Sequence, residues 1–181
     1  MRVIVIGAGV VGAAVAAALA RRGTEVTVLD AGRPGAGTTA TSFAWVNANN
    51  KDPQPYFELN NAGVAAHHAL AGGPTHWFSP TGHLEWATTD EHAALLAARV
   101  EKLEGRGYPV RRLTRSEALS LEPDLVAPAG AEFVFYPEEA HVLPGLLHAR
   151  VLGEARDRGA TVLPHTEVTG IDLAAPAVTT A

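Results

Sequence analysis

The first thirty residues alternate between apolar runs and glycine-rich breaks. Residues 3–6 form a β-branched run, which is typical of a buried parallel strand. A glycine-rich turn separates this run from an alanine-rich segment over residues 13–20, which favours a helix. Residues 25–29 then predict a second strand. The pattern therefore predicts a strand, turn, helix, strand unit.

The same stretch also has the outline of a targeting segment. Apolar residues 3–20 are followed by Arg21 and Arg22, as in a signal peptide or a short membrane span. Glycines break the apolar run soon after its start, and Gly23 marks a helix end before the next strand. We therefore favour a soluble strand and helix unit over a targeting segment.

The turn has the spacing G-x-G-x-x-G. It lies between a predicted strand and a predicted helix, the context in which this spacing indicates dinucleotide binding. Gly7 permits a tight turn, Gly9 lets the backbone approach a pyrophosphate, and Gly12 allows close packing of the helix on the sheet. Free N–H groups of Val10, Val11 and Gly12 would meet the anion at the helix N-terminus. The alternative is a purely structural glycine turn.

Asp30 ends the second strand, where the pattern places an acceptor for the ribose hydroxyls of adenosine. Residues 31–42 follow as a long segment rich in glycine and hydroxyl side chains. Thr38 and Thr39 would face phosphate or ribityl oxygens of an extended dinucleotide, which favours FAD over NAD. The alternative is that this segment is a linker with no role in binding.

Further along the chain, the patterns predict a mixed set of elements. Residues 82–87 resemble a strand, and residues 90–105 form an amphipathic helix. Its inward positions are predicted to be Leu95, Leu96, Val100 and Leu103. A helix over residues 143–158 leads to a strand over residues 161–163, and residues 177–181 read as the start of another strand.

Composition and charge exclude several functions. The 181 residues carry a formal net charge of -5, which argues against binding to nucleic acid or to an anionic membrane. Cysteine is absent, so no disulfide, thiol nucleophile or zinc-thiolate site is expected, and a cytoplasmic location fits. The spacing of the eight histidines does not indicate a metal site.

A polar cluster follows the hydroxyl-rich segment. It comprises Asn47, Asn49, Asn50, Asn60 and Asn61, with Lys51 among them. The amides are suited to hydrogen bonds with a flavin edge or a substrate carboxylate, but capping and turn roles are equally open. For Lys51, a salt-bridged surface position is favoured over a position near a flavin.

Later segments extend the dinucleotide pattern in a specific order. They are residues 35–39, 114–117 with 122–123, 136–137 with 141–144, and 159–163. With the glycine turn, they resemble the glycine oxidase and D-amino-acid oxidase (DAO) family of FAD-dependent amine oxidoreductases, in its N-terminal half. The resemblance implies an α/β fold with a Rossmann-like FAD-binding domain, incomplete at its C-terminus, and an inserted α+β segment. It places the domain at residues 1–50 and 138–181 and the substrate-side insertion at residues 51–137.

The resemblance also implies roles for individual residues. Val10 and Val11 would lie on the pyrophosphate, Asp30 and Ala31 on the adenosine ribose, Thr38 and Thr39 near the phosphates, Phe43, Ala44 and Trp45 beside the flavin ring, and Val168 at adenine through backbone groups. The implied reaction is hydride transfer to flavin from the carbon that bears the nitrogen of an amino acid or related amine, a CH–NH or CH–NH2 donor.

The sequence names no catalytic residue. In the family, the groups that hold the substrate carboxylate lie mostly in the second half of a longer chain, so we expect these 181 residues to be inactive alone. An NAD-dependent dehydrogenase and a non-catalytic nucleotide-binding module remain as alternatives. A small-molecule substrate is the expected partner, and a homo-oligomer and a missing C-terminal half both remain open.

Overall fold

The chain folds into helices and small sheets, which the computed structural model describes for residues 1–73 and 75–181. The helices are α1 (Val10–Ala20), α2 (Thr38–Thr41), α3 (Gln54–Ala71), α4 (Asp90–Gly105), α5 (Arg115–Leu121) and α6 (Pro144–Asp157). The strands are β1 (Arg2–Ile6), β2 (Glu25–Leu29), β3 (Trp45–Val46), β4 (Phe78–Ser79), β5 (His83–Trp86), β6 (Arg111–Leu113), β7 (Phe133–Tyr136), β8 (Ala140–Val142), β9 (Thr161–Leu163), β10 (Val168–Asp172) and β11 (Ala177–Thr180). The predicted α/β class is confirmed.

Contacts divide the chain into two compact units. The first comprises Met1–Ala44 and Leu143–Ala181, and the second comprises Trp45–Val142. The predicted assignment of residues 1–50 and 138–181 to an FAD-binding domain stays a prediction, because contacts alone do not assign a function to either unit.

The first unit is built on a parallel sheet with the strand order β1-β2-β9. Thr27 of β2 pairs with Ile4 of β1 on one side and with Thr161 of β9 on the other. The predicted strand, turn, helix, strand unit is confirmed by β1, α1 and β2. Helix α6 leads into β9, also as predicted.

Helix α1 packs through alanines. Ala13, Ala16 and Ala17 are fully buried, which lets the helix approach its neighbours closely. At its end, Arg21 donates two hydrogen bonds to the Glu154 carboxylate of α6, at 2.6 and 3.0 Å. This pairing lowers the pKa of Glu154 to about 2. The two helices are thus joined by both small-residue packing and a bidentate ion pair.

Strand β1 is less buried than its sequence predicts. Ile4 and Ile6 are 43% and 51% exposed. They line a cavity of about 760 Å³ together with Ile171 and Val178 of the antiparallel β10–β11 hairpin. The prediction of a parallel strand was correct, but the prediction that the strand is buried was wrong. A β-branched run indicates a strand. It does not indicate whether other parts of the chain cover the faces of that strand.

The second unit contains two antiparallel sheets with the orders β3-β8-β4 and β5-β7-β6. The predicted helix over residues 90–105 is α4 with the same bounds, and the Thr89 hydroxyl accepts the His92 N–H at its start. Leu96, Val100 and Leu103 are buried as predicted, but Leu95 is 63% exposed and was wrongly placed. The buried positions follow the spacing i, i+4, i+7, and Leu95 lies off that stripe.

Helix α5 begins with a signal that the sequence analysis did not use. The Glu117 N–H donates to the Thr114 hydroxyl at 3.3 Å, and the Thr114 N–H donates to the Glu117 carboxylate at 2.7 Å. This capping box lowers the pKa of Glu117, chiefly through the bond from the Thr114 backbone.

No helix in the described part of the chain has the length and apolar character needed to cross a membrane.

Candidate nucleotide-binding site

The backbone path from β1 into the first turn of α1 requires glycine at two positions. Gly7 has a φ of 97°, which side-chain-bearing residues rarely adopt, and its N–H donates to the Leu29 carbonyl oxygen at 2.7 Å. A Cβ at Gly12 would collide with the Gly7 carbonyl oxygen. These two glycines set the path of the backbone, while Gly9 lines the adjacent cavity.

The N-terminus of α1 is capped by a residue from a distant loop. Its N-cap, Gly9, has no side chain for this purpose, and the Val10 N–H instead donates to the Thr39 hydroxyl at 3.0 Å. Among residues 1–73 and 75–181, the N–H groups of Val11 and Gly12 have no hydrogen-bond partner. Val11 is also 74% exposed. The helix therefore offers two open donors at the positive end of its dipole.

Asp30 fixes the turn as well as facing the cavity. Its carboxylate accepts the Ala8 N–H at 2.7 Å on one oxygen and the Gly32 N–H at 2.8 Å on the other. A carboxylate has about four lone-pair positions, so two remain for a ligand. Asp30 thus has a structural role in addition to the ribose contact that the sequence predicts.

His148 is a site residue that the sequence analysis missed. It is buried in α6, and its Nε2–H donates to the Ala8 carbonyl oxygen at 2.8 Å. The same oxygen accepts the Gly35 N–H at 3.0 Å, and a Cβ at Gly35 would lie 2.7 Å from His148 Nδ1. The signal was its helical spacing to buried Val151, Leu152 and Ala155, which places it on the inward face.

These elements border an open cavity of about 470 Å³ in the first unit. Its lining comprises Gly9, Val10, Val11, Asp30, Arg33, Gly35, Gly37, Thr38, Thr39 and Ser42. The structure therefore brings together six of the residues predicted from the sequence. It adds Arg33, a cation that the sequence analysis did not single out.

Other predicted residues lie outside this lining. Gly7 lies in the turn, Gly12 lies in the first turn of α1, and Ala31 is absent from the cavity lining. Phe43 is 78% exposed, and Ala44 has a φ of 56°. Val168 is half-buried at the start of β10. The roles proposed for these residues at a flavin or an adenine stay predictions.

Trp45 belongs to the second unit, in a cluster around a buried carboxylate. The Glu139 side chain accepts hydrogen bonds from the Trp45 indole at 2.9 Å, the Tyr108 hydroxyl at 3.0 Å, and the Asn49 backbone and side-chain N–H groups at 3.2 and 3.1 Å. Burial raises the pKa of Glu139 above its ordinary value, although the four donors oppose that shift. Burial and the nearby carboxylate also raise the pKa of Tyr108. The cluster holds Trp45 in place.

Several other polar residues have local partners. His67 bonds to the Gly63 carbonyl oxygen at 2.7 Å, and His68 bonds to that of Glu138 at 2.8 Å. No group of three metal-binding side chains converges within the described ranges. Lys51 lies 6.0 Å from the centre of the Tyr56 ring and forms no ion pair with another described residue, so the favoured salt bridge was wrong.

Comparison with known proteins identifies the family. The family model for FAD-dependent oxidoreductases of the DAO type matches residues 2–181. The chain belongs to the DAO family of FAD-dependent oxidoreductases. This result confirms the resemblance inferred from the sequence, at the level of the family.

Individual relatives agree with the family assignment. The chain is 31% identical over 174 residues to glycine oxidase of Geobacillus kaustophilus (strain HTA426), and the match covers 92% of this chain and 46% of that protein. The crystal structure of a glycine oxidase from Geobacillus kaustophilus superposes with a TM-score of 0.84 at 30% identity, over 94% of this chain and 49% of the other. For L-proline dehydrogenase from P. horikoshii, the TM-score is 0.81 at 26% identity, over 94% and 45%. The chain thus spans about half the length of the relatives that it matches.

Proposed function

We propose that this chain is part of an FAD-dependent oxidoreductase that oxidises the C–N bond of an amino acid or related amine. The observation that supports the proposal is the similarity, over nearly the whole chain, to glycine oxidase and L-proline dehydrogenase. Both names refer to an amino acid as the molecule that is oxidised, one a primary and one a secondary amine.

The cavity of the first unit suits the phosphate and ribose part of FAD. Open N–H groups at Val11 and Gly12 point from a helix N-terminus, the arrangement that binds a pyrophosphate without a basic side chain. Arg33 adds one positive charge to the lining. The free lone pairs of Asp30 suit ribose hydroxyls, and its negative charge disfavours a ribose that carries a phosphate.

The remaining contacts are assigned by resemblance to the family. Thr38 and Thr39 would lie near the phosphates, with Thr39 also holding the Val10 N–H. Phe43, Ala44 and Trp45 would lie beside the flavin ring, and Val168 would meet adenine. When bound, FAD would accept the hydride from the substrate, and the chain's own residues would bind and orient the cofactor.

Asp30 should contribute to FAD affinity through the ribose. We expect Asp30→Asn, which keeps one carbonyl acceptor in the turn, to weaken FAD binding by about 1.5–3 kcal/mol, the usual range for hydrogen bonds to a charged group. Titration of the variant and the parent with FAD measures the change. Asp172→Asn, at an exposed position at the end of β10, removes a charge elsewhere and should leave FAD affinity unchanged. Equal affinities for Asp30→Asn and the parent would leave Asp30 with a purely structural role.

The proposed reaction is testable with the chain alone and with a completed version. We expect these 181 residues with added FAD not to bleach the flavin anaerobically with glycine, sarcosine or D-alanine, because hydride transfer requires a closed and oriented site. Joining the chain to the C-terminal half of the Geobacillus kaustophilus glycine oxidase should restore bleaching with at least one amine. A folded, FAD-loaded hybrid that no amine reduces would contradict the proposed reaction and favour a non-catalytic nucleotide-binding role.

A further inference from the structure

Ala8, in the turn before α1, is held by hydrogen bonds on both its N–H and its carbonyl oxygen. The N–H donates to the Asp30 carboxylate at 2.7 Å. The carbonyl oxygen accepts the Nε2–H of His148 at 2.8 Å and the Gly35 N–H at 3.0 Å. Ala8 is fully buried, so its backbone groups depend on these partners rather than on water. Three partners from distant parts of the chain therefore set the backbone at this point of the turn.

The bonds to the Ala8 carbonyl oxygen also set the direction of the next N–H group. The peptide that joins Ala8 to Gly9 is trans, and in a planar trans peptide the C=O and the N–H point in opposite directions. Because the oxygen is directed towards His148, the Gly9 N–H is directed away from it. This N–H has no acceptor in the part of the chain that the structure describes, and Gly9 lines the cavity of the first unit. The Gly9 N–H is therefore a third open donor, beside those of Val11 and Gly12.

His148 reaches Ala8 from the buried face of α6. Its ring is packed closely, since a Cβ at Gly35 would lie 2.7 Å from Nδ1, so the loop approaches the ring only because residue 35 is glycine. His148 is buried and does not belong to the cavity lining. It would therefore act on a ligand through the peptide between Ala8 and Gly9, not by contact.

We propose that His148 is a positioning residue for the diphosphate of FAD. Its Nε2–H holds the Ala8 carbonyl oxygen and thereby directs the Gly9 N–H at the diphosphate. Hydrogen bonds to a charged acceptor are about twice as strong as neutral ones, so the direction of one such donor affects affinity. The inference rests on the proposed FAD site and adds to it a residue that does not touch the cofactor.

The test compares two ligands that differ in the diphosphate. The 181-residue chain is titrated calorimetrically with ADP and, separately, with adenosine. His148→Leu fills a similar volume without a donor. It should raise the Kd for ADP about tenfold or more, the equivalent of one hydrogen bond to a charged group, and leave the Kd for adenosine unchanged. His148→Gln keeps an N–H donor on its side chain and should restore most of the ADP affinity.

Val151→Ala is the matched control for lost packing. Val151 is buried on the same helix as His148, three residues further on, and it does not line the cavity. The variant removes apolar contacts without removing a hydrogen bond. Its Kd values for ADP and for adenosine should equal those of the parent.

A measurement on the parent chain examines the Gly9 N–H directly. In the ¹H–¹⁵N NMR spectrum, saturation with ADP should move the Gly9 amide proton to lower field, because the proton enters a hydrogen bond with an anionic acceptor. At saturation, the same shift should be smaller in His148→Leu. This comparison does not depend on how tightly each variant binds.

Several outcomes would overturn the proposal: no ADP binding by the parent, equal ADP affinity for folded His148→Leu and the parent, or an equal loss of adenosine affinity. A Gly9 amide proton that ADP does not move, or no recovery in His148→Gln, would do the same. The proposed oxidation is judged separately, by bleaching of the FAD-loaded hybrid. If ADP behaves as expected and no amine reduces the hybrid, the oxidation fails while the role of His148 stands.

Discussion

Replacing Glu139 by alanine is expected to lower the free energy of unfolding by at least about 3 kcal/mol. The change removes the acceptor of four hydrogen bonds from Trp45, Asn49 and Tyr108. Each buried donor that is left unsatisfied costs about 1–3 kcal/mol. Glu139 is therefore the centre of a buried hydrogen-bond cluster in the second unit rather than a surface acid.

Urea unfolding followed by tryptophan fluorescence measures this effect selectively. All three tryptophans, at positions 45, 77 and 86, lie in the second unit. Glu138→Ala is the matched control, because the Glu138 side chain is 52% exposed and lies 4.0 Å from His68. Its expected cost is within about 0.5 kcal/mol, as for most surface substitutions. Equal unfolding free energies for the two variants would contradict the structure of the cluster.

The contribution of Glu139 to the free energy of unfolding should depend on pH. Because burial raises the pKa of Glu139 above its ordinary value of 4.5, the folded state favours the protonated form. The associated stabilisation is fully present below the unfolded pKa and is lost as the pH rises through the folded pKa. Glu139→Gln cannot titrate. The unfolding free energy of the parent minus that of this variant should therefore decrease as the pH rises from below 4.5 towards neutrality.

Replacing Gly9 by valine is expected to weaken FAD binding at least 100-fold, which corresponds to about 2.8 kcal/mol. Gly9 lines the cavity at the start of α1, where a branched side chain would occupy the space of the pyrophosphate. A Cβ there would also lie 3.3 Å from the Thr39 hydroxyl that caps α1. Fluorescence titration with FAD measures the loss.

Gly145→Val controls for the general cost of valine in place of glycine. Gly145 lies in the first turn of α6, has no atom within 4 Å of an added Cβ, and does not line the cavity. Its FAD affinity should equal that of the parent. Circular dichroism of Gly9→Val should show a folded protein. If folded Gly9→Val binds FAD as tightly as Gly145→Val does, the pyrophosphate does not bind at this turn.

Local pattern predicted much of the first unit and part of the second. Glycine spacing and β-branched runs predicted β1, α1 and β2, and apolar periodicity predicted α4 with its observed bounds. Such signals depend on neighbours within a few positions, so they also predicted Asp30 at the end of β2. They failed for Leu95 and for the open face of β1, where burial depends on what packs from elsewhere.

Contacts between distant residues escaped the sequence analysis. Thr39 caps a helix 29 positions away, and His148 bonds to Ala8 across 140 positions. Glu139 meets Asn49 across 90 positions. A buried polar residue is stable only with its partners, and no local pattern reveals partners that the fold brings together.

The most direct test of the central claim is whether the purified chain binds FAD at the site of the first unit. Parent chain should be titrated with FAD and, separately, with NAD, and ADP should then be added as a competitor that shares the diphosphate and the adenosine. We expect saturable FAD binding that ADP displaces, with weaker binding of NAD. Saturable binding of NAD with none of FAD, or FAD binding that ADP does not displace, would contradict it.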